Sequence, residues 1–248
     1  MRNFKLILEY EGTAFCGWQT QKPGLRTVQS HLEEKLAFIF NTKVHCHASG
    51  RTDSGVHAKA QVAHVKVKTH LEPVIIHKAL NSFLDKDVSI VSVEEVSLSF
   101  HAQTSAVSKT YQYTILNRTA PSALWRNRVY VFPEKLNVTK MKKVARHFVG
   151  KHDFKSFQAS ASDGHLKSTI RTVSDLTIIK KDEFIYITIS ANGFLHKMVR
   201  NIVGSLLEAG VGRLDEKAIP ALLKAKNRTL APKTAPSCGL CLMSVSYK

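Results

Sequence analysis

Residues 43–68, KVHCHASGRTDSGVHAKAQVAHVKVK, decide how the chain is read. In QVAHVKVK (61–68), Ala63, Val65 and Val67 alternate with polar neighbours and share one face, as in a half-buried strand. KVHCHAS reads as a second strand, and Gly50, Asp53 and Gly55 between them are turn residues, with the glycines suited to positive φ. The segment is therefore strand, turn, strand. A plain turn has no need of Arg51, yet a guanidinium two residues from Asp53 favours the ionised carboxylate and can aim it into a pocket. His57, between Val56 and Ala58 at the start of the second strand, is read as packed rather than catalytic. His45, Cys46 and His47 look like metal ligands, but in a strand Cys46 points away from both histidines, so they are read as strand residues.

Outward from this segment, strands and helices interleave. FKLILEYE (4–11) puts Phe4, Leu6, Leu8 and Tyr10 on one face. TVQSHLEEKLAFIF (27–40) spaces Val28, Leu32, Leu36, Ile39 and Phe40 as a helix does. A helix over 73–84 follows, opened by Pro73, and then a strand near 88–98. The second half repeats the theme with a strand at KTYQYTIL (109–116), then a helix from Asn137 to Gly150 that buries Met141, Val144, Ala145 and Phe148 beneath a basic outer face. A hairpin turns at 180–183, a helix spans 193–210 with Leu195, Met198, Val199, Ile202 and Leu206 inward, and a short helix at 215–226 contains Pro220. A last strand covers 240–247. We expect two α+β lobes, 1–105 and 106–248, joined near residues 100–108.

The chain has 248 residues, 44% of them hydrophobic, enough for a substantial core. Its formal charge is +17. The excess is uneven: residues 1–120 carry 14 basic and 10 acidic side chains, whereas residues 121–248 carry 22 and 9. Such a field selects a polyanionic partner, nucleic acid before a membrane surface. No apolar run reaches the roughly 18–20 residues that span a bilayer, and the first residues alternate like a strand rather than forming a signal peptide, so the cytoplasm is expected. The four cysteines are too few for a disulfide framework, and the CGLC pair at 238–241 lacks the second ligand pair of a zinc site, so no metal is expected.

The turn GRTDSGVHA (50–58) resembles the catalytic loop of the TruA family of tRNA pseudouridine synthases, whose pattern is nearly GRTDAGVHA. The resemblance runs the length of the chain through YEGTAFCGWQ (10–19), FHAQTSAVSKTYQY (100–113), DFKSF (153–157), FLHKMVRNIVGSL (194–206) and TAPSCGL (234–240). It implies two ferredoxin-like α+β lobes joined through an extended, mainly antiparallel sheet, with the catalytic cleft between the lobes. It also implies a homodimer that isomerises uridine to pseudouridine at positions 38, 39 and 40 of the tRNA anticodon stem-loop, without cofactor, small-molecule partner or membrane. Carried over by position, Asp53 matches the catalytic nucleophile and Arg51 the arginine that pairs with it and helps to hold or replace the flipped nucleotide. Tyr111 matches the tyrosine stacking on the target uracil, Arg200 a basic residue near the carboxylate, and Leu240 an apolar residue beside the base.

These residue types suit the implied chemistry. The N1 glycosidic bond breaks, the uracil rotates, C5 joins the sugar and the C5 proton leaves, so nothing is exchanged with another molecule. The reaction needs a carboxylate to attack sugar or base or to take a sugar proton, an aromatic wall that retains the freed uracil, and a base for the last proton. Gln103 and Thr104 depart from the family's Arg and aromatic residue, Thr110 from a common basic residue, and Ser54 from Ala. The alternative reading is a non-catalytic tRNA-binding or RNA-chaperone protein. Such a protein has no use for Asp53, whereas a nuclease would call for a metal cluster or a His pair.

Overall fold

The computed structural model describes residues 1–22, 24–159 and 168–248. In chain order the elements are β1 (Arg2–Tyr10), α1 (Val28–Phe40), β2 (Cys46–Ala48), β3 (His57–Val67), α2 (Pro73–Phe83), β4 (Val88–Val96), β5 (Ala106–Leu116), β6 (Tyr130–Val131), α3 (Val138–Arg146), β7 (Gly150–Asp153), β8 (Ile170–Lys181), β9 (Phe184–Ala191), α4 (Met198–Gly210), α5 (Ala218–Ala225) and β10 (Leu240–Tyr247). The class is α+β, and most strand pairs are antiparallel. The chain divides into two compact units, Met1–Val107 with Cys241–Lys248, and Ser108–Leu240.

In the first unit the strand order is β4-β1-β3-β10, with β2 also on β3. The alternation in β1 buries Phe4, Leu6 and Leu8 completely and Tyr10 almost so. Each such side chain contributes about 1.5–3 kcal/mol of burial. β1 lies antiparallel to both neighbours, Leu6 pairing with Ala63 of β3 and Val93 of β4. α1 opens on a capping box in which the Thr27 hydroxyl accepts from Ser30 N–H and Ser30 Oγ accepts from Thr27 N–H. The helix buries Val28, Leu32 and Leu36 but leaves Ile39 and Phe40 only half-buried, and it ends at Asn41 in the left-handed region. α2 starts with Pro73 at a position whose N–H has no intrahelical partner to lose. The C-terminal strand returns to this unit, where Cys241 and Leu242 run parallel beside His57 and Ala58.

In the second unit the order is β5-β9-β8-β7, with β6 parallel to β5. Tyr111, Tyr113 and Ile115 face inward from β5 and pair with Ile189, Ile187 and Ile185 of β9. The expected hairpin turn is present, with Asp182 at φ +53°. α3 is capped by Asn137, whose side chain accepts from Lys140 N–H. It stops at Arg146, short of Gly150, because the next three N–H groups bond three residues back, tightening the turn, and Gly150 at φ +110° then redirects the chain into β7. α4 starts at Met198 rather than at 193, because Lys197 sits at φ +58° and interrupts the helical path. α5 accommodates Pro220 in its first turn, where no N–H bond is forfeited.

Candidate active site

Asp53 sits on the loop between β2 and β3, the inter-strand position expected. It is half-buried, Arg51 is exposed and Thr52 between them is buried. The stretch 10–18 forms the mould for this loop. Gly55 N–H and Ser54 Oγ donate to Phe15 O at 3.3 and 3.2 Å, and Trp18 N–H donates to Thr52 O at 3.1 Å. The Tyr10 hydroxyl meets Thr52 Oγ1 at 2.8 Å, and burial pushes the Tyr10 phenol up to about 12, so it stays protonated. Below the loop, Gln61 of β3 donates to Gly50 O at 2.9 Å and accepts from Ser49 Oγ at 2.8 Å. Each bond contributes about 1 kcal/mol, and together they give the carboxylate a fixed platform.

Two glycines make that fit possible. A Cβ on Gly12 would lie 2.0 Å from Val56 O, and one on Gly17 2.7 Å from Thr52 O. Gly17 also holds φ +87°, where a side chain is strained. Of the two loop glycines expected at positive φ, Gly55 adopts it at +75°, whereas Gly50 is not among the residues there. His57 is buried, and its Nδ1 accepts from Gly12 N–H at 3.0 Å with Glu11 Oε1 at 3.5 Å. It packs the mould against β3, the structural part expected of it.

Tyr111, Arg200 and Leu240 belong to the second unit. Tyr111 is buried on β5 with its ring edge-on to Phe194, centroids 5.2 Å apart. Lys109, two residues earlier, has its ammonium pushed down to about 8 by burial, with Arg171 adding repulsion. Thr110, which departs from the family pattern, shares a hydroxyl bond with Ser190 at 2.8 Å. Gln103 and Thr104 are exposed, and their N–H groups donate to His101 Nδ1. Arg200, half-buried in the first turn of α4, donates from Nε to Ala235 O at 2.8 Å while its own carbonyl accepts from Ala235 N–H at 3.1 Å. Leu240 is buried just after a short 3-10 turn, Ser237–Gly239. Gly239 lies so close to β5 that a Cβ there would come 2.7 Å from the Tyr113 ring. The Tyr113 hydroxyl donates to Pro236 O at 2.9 Å, so the segment before Leu240 is strapped to β5 and to α4.

Sequence reasoning missed Asn201. Fully buried beside Arg200, it donates from Nδ2 to Phe157 O at 2.6 Å and accepts at Oδ1 from Thr234 Oγ1 at 2.6 Å and Arg228 Nη2 at 3.1 Å. One amide thus ties DFKSF, MVRN and TAPSCGL together, and a polar residue set within an apolar helical stripe was the signal for it. Gly12 and Gly17 were missed in the same way. Among the described residues no three His, Cys, Asp or Glu side chains are placed to hold a metal ion. Cys46 is buried while the His45 and His47 rings meet at 4.7 Å, as the alternation expects, although β2 takes in only Cys46–Ala48 and leaves His45 outside it. No helix among the described residues is long and apolar enough to cross a membrane.

The sequence profile of a family described as tRNA pseudouridine synthase matches residues 6–104 and 144–248. The chain is 44% identical over 247 residues to tRNA pseudouridine synthase A 2 of Clostridium perfringens (strain 13 / Type A), covering all of both chains. It is equally similar to tRNA pseudouridine synthase A of Thermoanaerobacter sp. (strain X514), again over the whole of both chains. It is 42% identical over 250 residues to the enzyme of that name from Maridesulfovibrio salexigens, spanning all of this chain and 91% of the other. With the profile covering most of both units and relatives aligned end to end, the chain belongs to the tRNA pseudouridine synthase family.

Proposed function

We propose that this protein is an isomerase converting uridine to pseudouridine at positions 38, 39 and 40 of the tRNA anticodon stem-loop, with Asp53 as its nucleophile. The observation that carries the reading is the moulded loop. A half-buried carboxylate is held on a platform that spends two glycines, a buried tyrosine and a buried glutamine on positioning one turn. A protein that only bound tRNA would have no reason to mould so firmly a loop that carries a negative charge.

Asp53 attacks the sugar or the base of a uridine turned out of its stack, a displacement that costs a few kcal/mol. Arg51, on the same loop, steadies the displaced nucleotide. Tyr111 provides the aromatic wall that keeps the detached uracil in place, Leu240 an apolar flank and Arg200 a second cation. Because the product is an isomer of the substrate, the reaction calls for no redox or group-transfer cofactor. The working species is a homodimer in the cytoplasm. The exposed, edge-on pair Phe38 and Phe83 on the first unit offers apolar surface for self-association, and light scattering of the purified protein reads the mass directly.

The test is tritium release from tRNA labelled at uridine C5. Asp53→Ala is expected to retain tRNA affinity within about threefold, since no phosphate-binding cation is removed, and to release no tritium. Release at the wild-type rate by this variant would remove Asp53 from the chemistry.

A further inference from the structure

A basic part of the second unit contains a concave surface remote in sequence from the five candidate site residues. A groove of about 610 Å3 is lined by the end of α3 and the turn after it (Arg146, His147, Val149), by β7 (Lys151, His152, Asp153) and by α5 and its end (Pro220, Leu223, Lys224, Lys226). Four of these side chains are Lys or Arg, and Asp153 is the sole carboxylate among the lining residues. Asp153 is already engaged by Lys226 at 2.9 Å and by Thr169 Oγ1 at 2.5 Å, and these bonds hold it below the usual carboxylate range against the opposing effect of burial. The groove therefore presents a net positive surface with its one acid occupied. Arg146, Lys151 and Lys224 are exposed along it.

The positive surface continues beyond the groove. Lys140, Lys143 and His147 recur at helical spacing along the outer face of α3, a stripe about 10 Å long that runs into the groove, and Lys142 and Arg146 flank it. The opposite face of the helix is spent on the core through Met141, Val144 and Ala145. Four Lys and Arg side chains on nine residues of helix repel one another in the free protein, a cost that a stripe of phosphates would relieve. β7, the terminal strand of its unit's order, places Lys151 on a rigid edge.

We propose that this groove and the α3 stripe form a docking track for the phosphodiester backbone of the RNA substrate, beyond the uridine that reacts. The proposal rests on the tRNA reading above and adds the place where distant phosphates are held. An elongated track of cations over an apolar floor of Val149, Pro220 and Leu223 suits a backbone of repeated single charges, whose counterions are released on contact. Phosphate contacts here give no sequence information and help to offset the cost of displacing the target base.

The experiment measures Kd for an unmodified tRNA transcript by fluorescence anisotropy from roughly 50 to 200 mM salt, using the full chain. Lys151→Ala with Lys224→Ala is expected to raise Kd about tenfold and to lower the slope of log Kd against log salt by about 1.5, the loss of two phosphate contacts. Arg146→Glu with Lys151→Glu should exceed both effects. Lys180→Ala with Lys181→Ala, at the end of β8 beside its turn into β9, is expected to leave Kd, slope and pseudouridine formation unchanged. Unaltered Kd and slope in both groove variants would overturn the track, as would an equal loss in the turn variant, or weakened binding to polyglutamate with tRNA binding intact. If wild-type protein forms no pseudouridine yet its tRNA affinity still depends on Lys151 and Lys224, the synthase reading fails and the track stands. If pseudouridine forms and the groove variants bind tRNA normally, the track alone fails.

Discussion

The loop that carries Asp53 and the segment that leads to Leu240 are both held firmly, but they lean differently on side-chain bridges. The first is backbone seated on backbone: Gly12 and Gly17 let the chain at 12–18 press directly on Thr52 and Val56, leaving no room for a methyl group. The second also has close backbone approaches, a Cβ on Gly204 lying 2.0 Å from Lys233 O and one on Gly239 2.8 Å from Thr114 O, but it adds long side-chain bridges from Asn201, Arg200 and Tyr113. Backbone contact gives the shortest lever between platform and carboxylate and tolerates no substitution. Side-chain bridges are looser and can be shortened at a graded cost. On the proposed reading, the first arrangement serves chemistry at one group, where misplacement by 1 Å can cost about a hundredfold in rate, and the second serves retention of a planar base.

The strongest way to break this comparison is Gly12→Ala. Its Cβ would stand 2.0 Å from Val56 O, an atom of the backbone that cannot swing aside. We expect about 3 kcal/mol of destabilisation and at least a hundredfold loss of turnover in the protein that remains folded, read from urea midpoints and tritium release. A stable, active Gly12→Ala protein would show that the loop is not moulded on its partner at all. Next comes Asn201→Ala, which leaves the Phe157 carbonyl, the Thr234 hydroxyl and the Arg228 guanidinium without the amide that satisfied them. About 2–3 kcal/mol should be lost, with turnover falling less than the stability suggests, because the Asp53 loop is untouched.

Much of this was legible in the sequence, and what was not has a common cause. Every strand and helix that positions the site was visible from its period, because β1, β5 and α4 bury one side and the pattern records it. The boundaries failed where backbone conformation rather than polarity ended an element, as at Lys197 and at the tightened turn after Arg146. Asp53, Arg51 and Tyr111 could be singled out as candidates because they lie within continuous motifs. Gly12, Gly17 and Asn201 were not, since their roles depend on which distant segment the fold brings against them. The same holds for β10, whose parallel pairing with β3 has no local signature in residues 240–247.

Acid should loosen the first unit. His64 is buried on β3, its Nδ1 accepts from Ala102 N–H at 3.2 Å, and its ring stacks on His47 at 5.1 Å and tilts against His101 at 4.7 Å. Burial, then the neighbouring histidines and Lys66, push its folded value down to about 4. The unfolded imidazole titrates near 6.5, so between those values the unfolded chain binds the extra proton. Stability is complete above about pH 7 and is lost as the pH falls through 6.5 toward 4. About 1 kcal/mol should disappear between pH 7.5 and 5.5, read as a shift in urea midpoint, and His64→Gln should flatten that dependence. A dependence of the opposite sign would mean that the ring is charged in the folded protein.

The smallest expected effect gives the sharpest comparison, because the same atom is removed from each support. Tyr10→Phe deletes the hydroxyl that meets Thr52 Oγ1, next to Asp53, and Tyr113→Phe deletes the one that donates to Pro236 O, four residues before Leu240. Both phenols are buried and both are pushed upward by that burial, so neither ionises at neutral pH and each substitution removes only neutral hydrogen bonds. Each should cost about 1 kcal/mol of stability. Their kinetics should diverge. Tyr10→Phe also takes a partner from Gln61, which braces Gly50, so the carboxylate platform loosens and kcat should fall several-fold with KM little changed. Tyr113→Phe frees the segment that carries Leu240 while leaving the platform intact, so KM should rise with kcat nearly unchanged. Equal effects on kcat from the two variants would mean that the two supports act as one, and that backbone seating gives the Asp53 loop no precision beyond what side-chain bridges give the other segment.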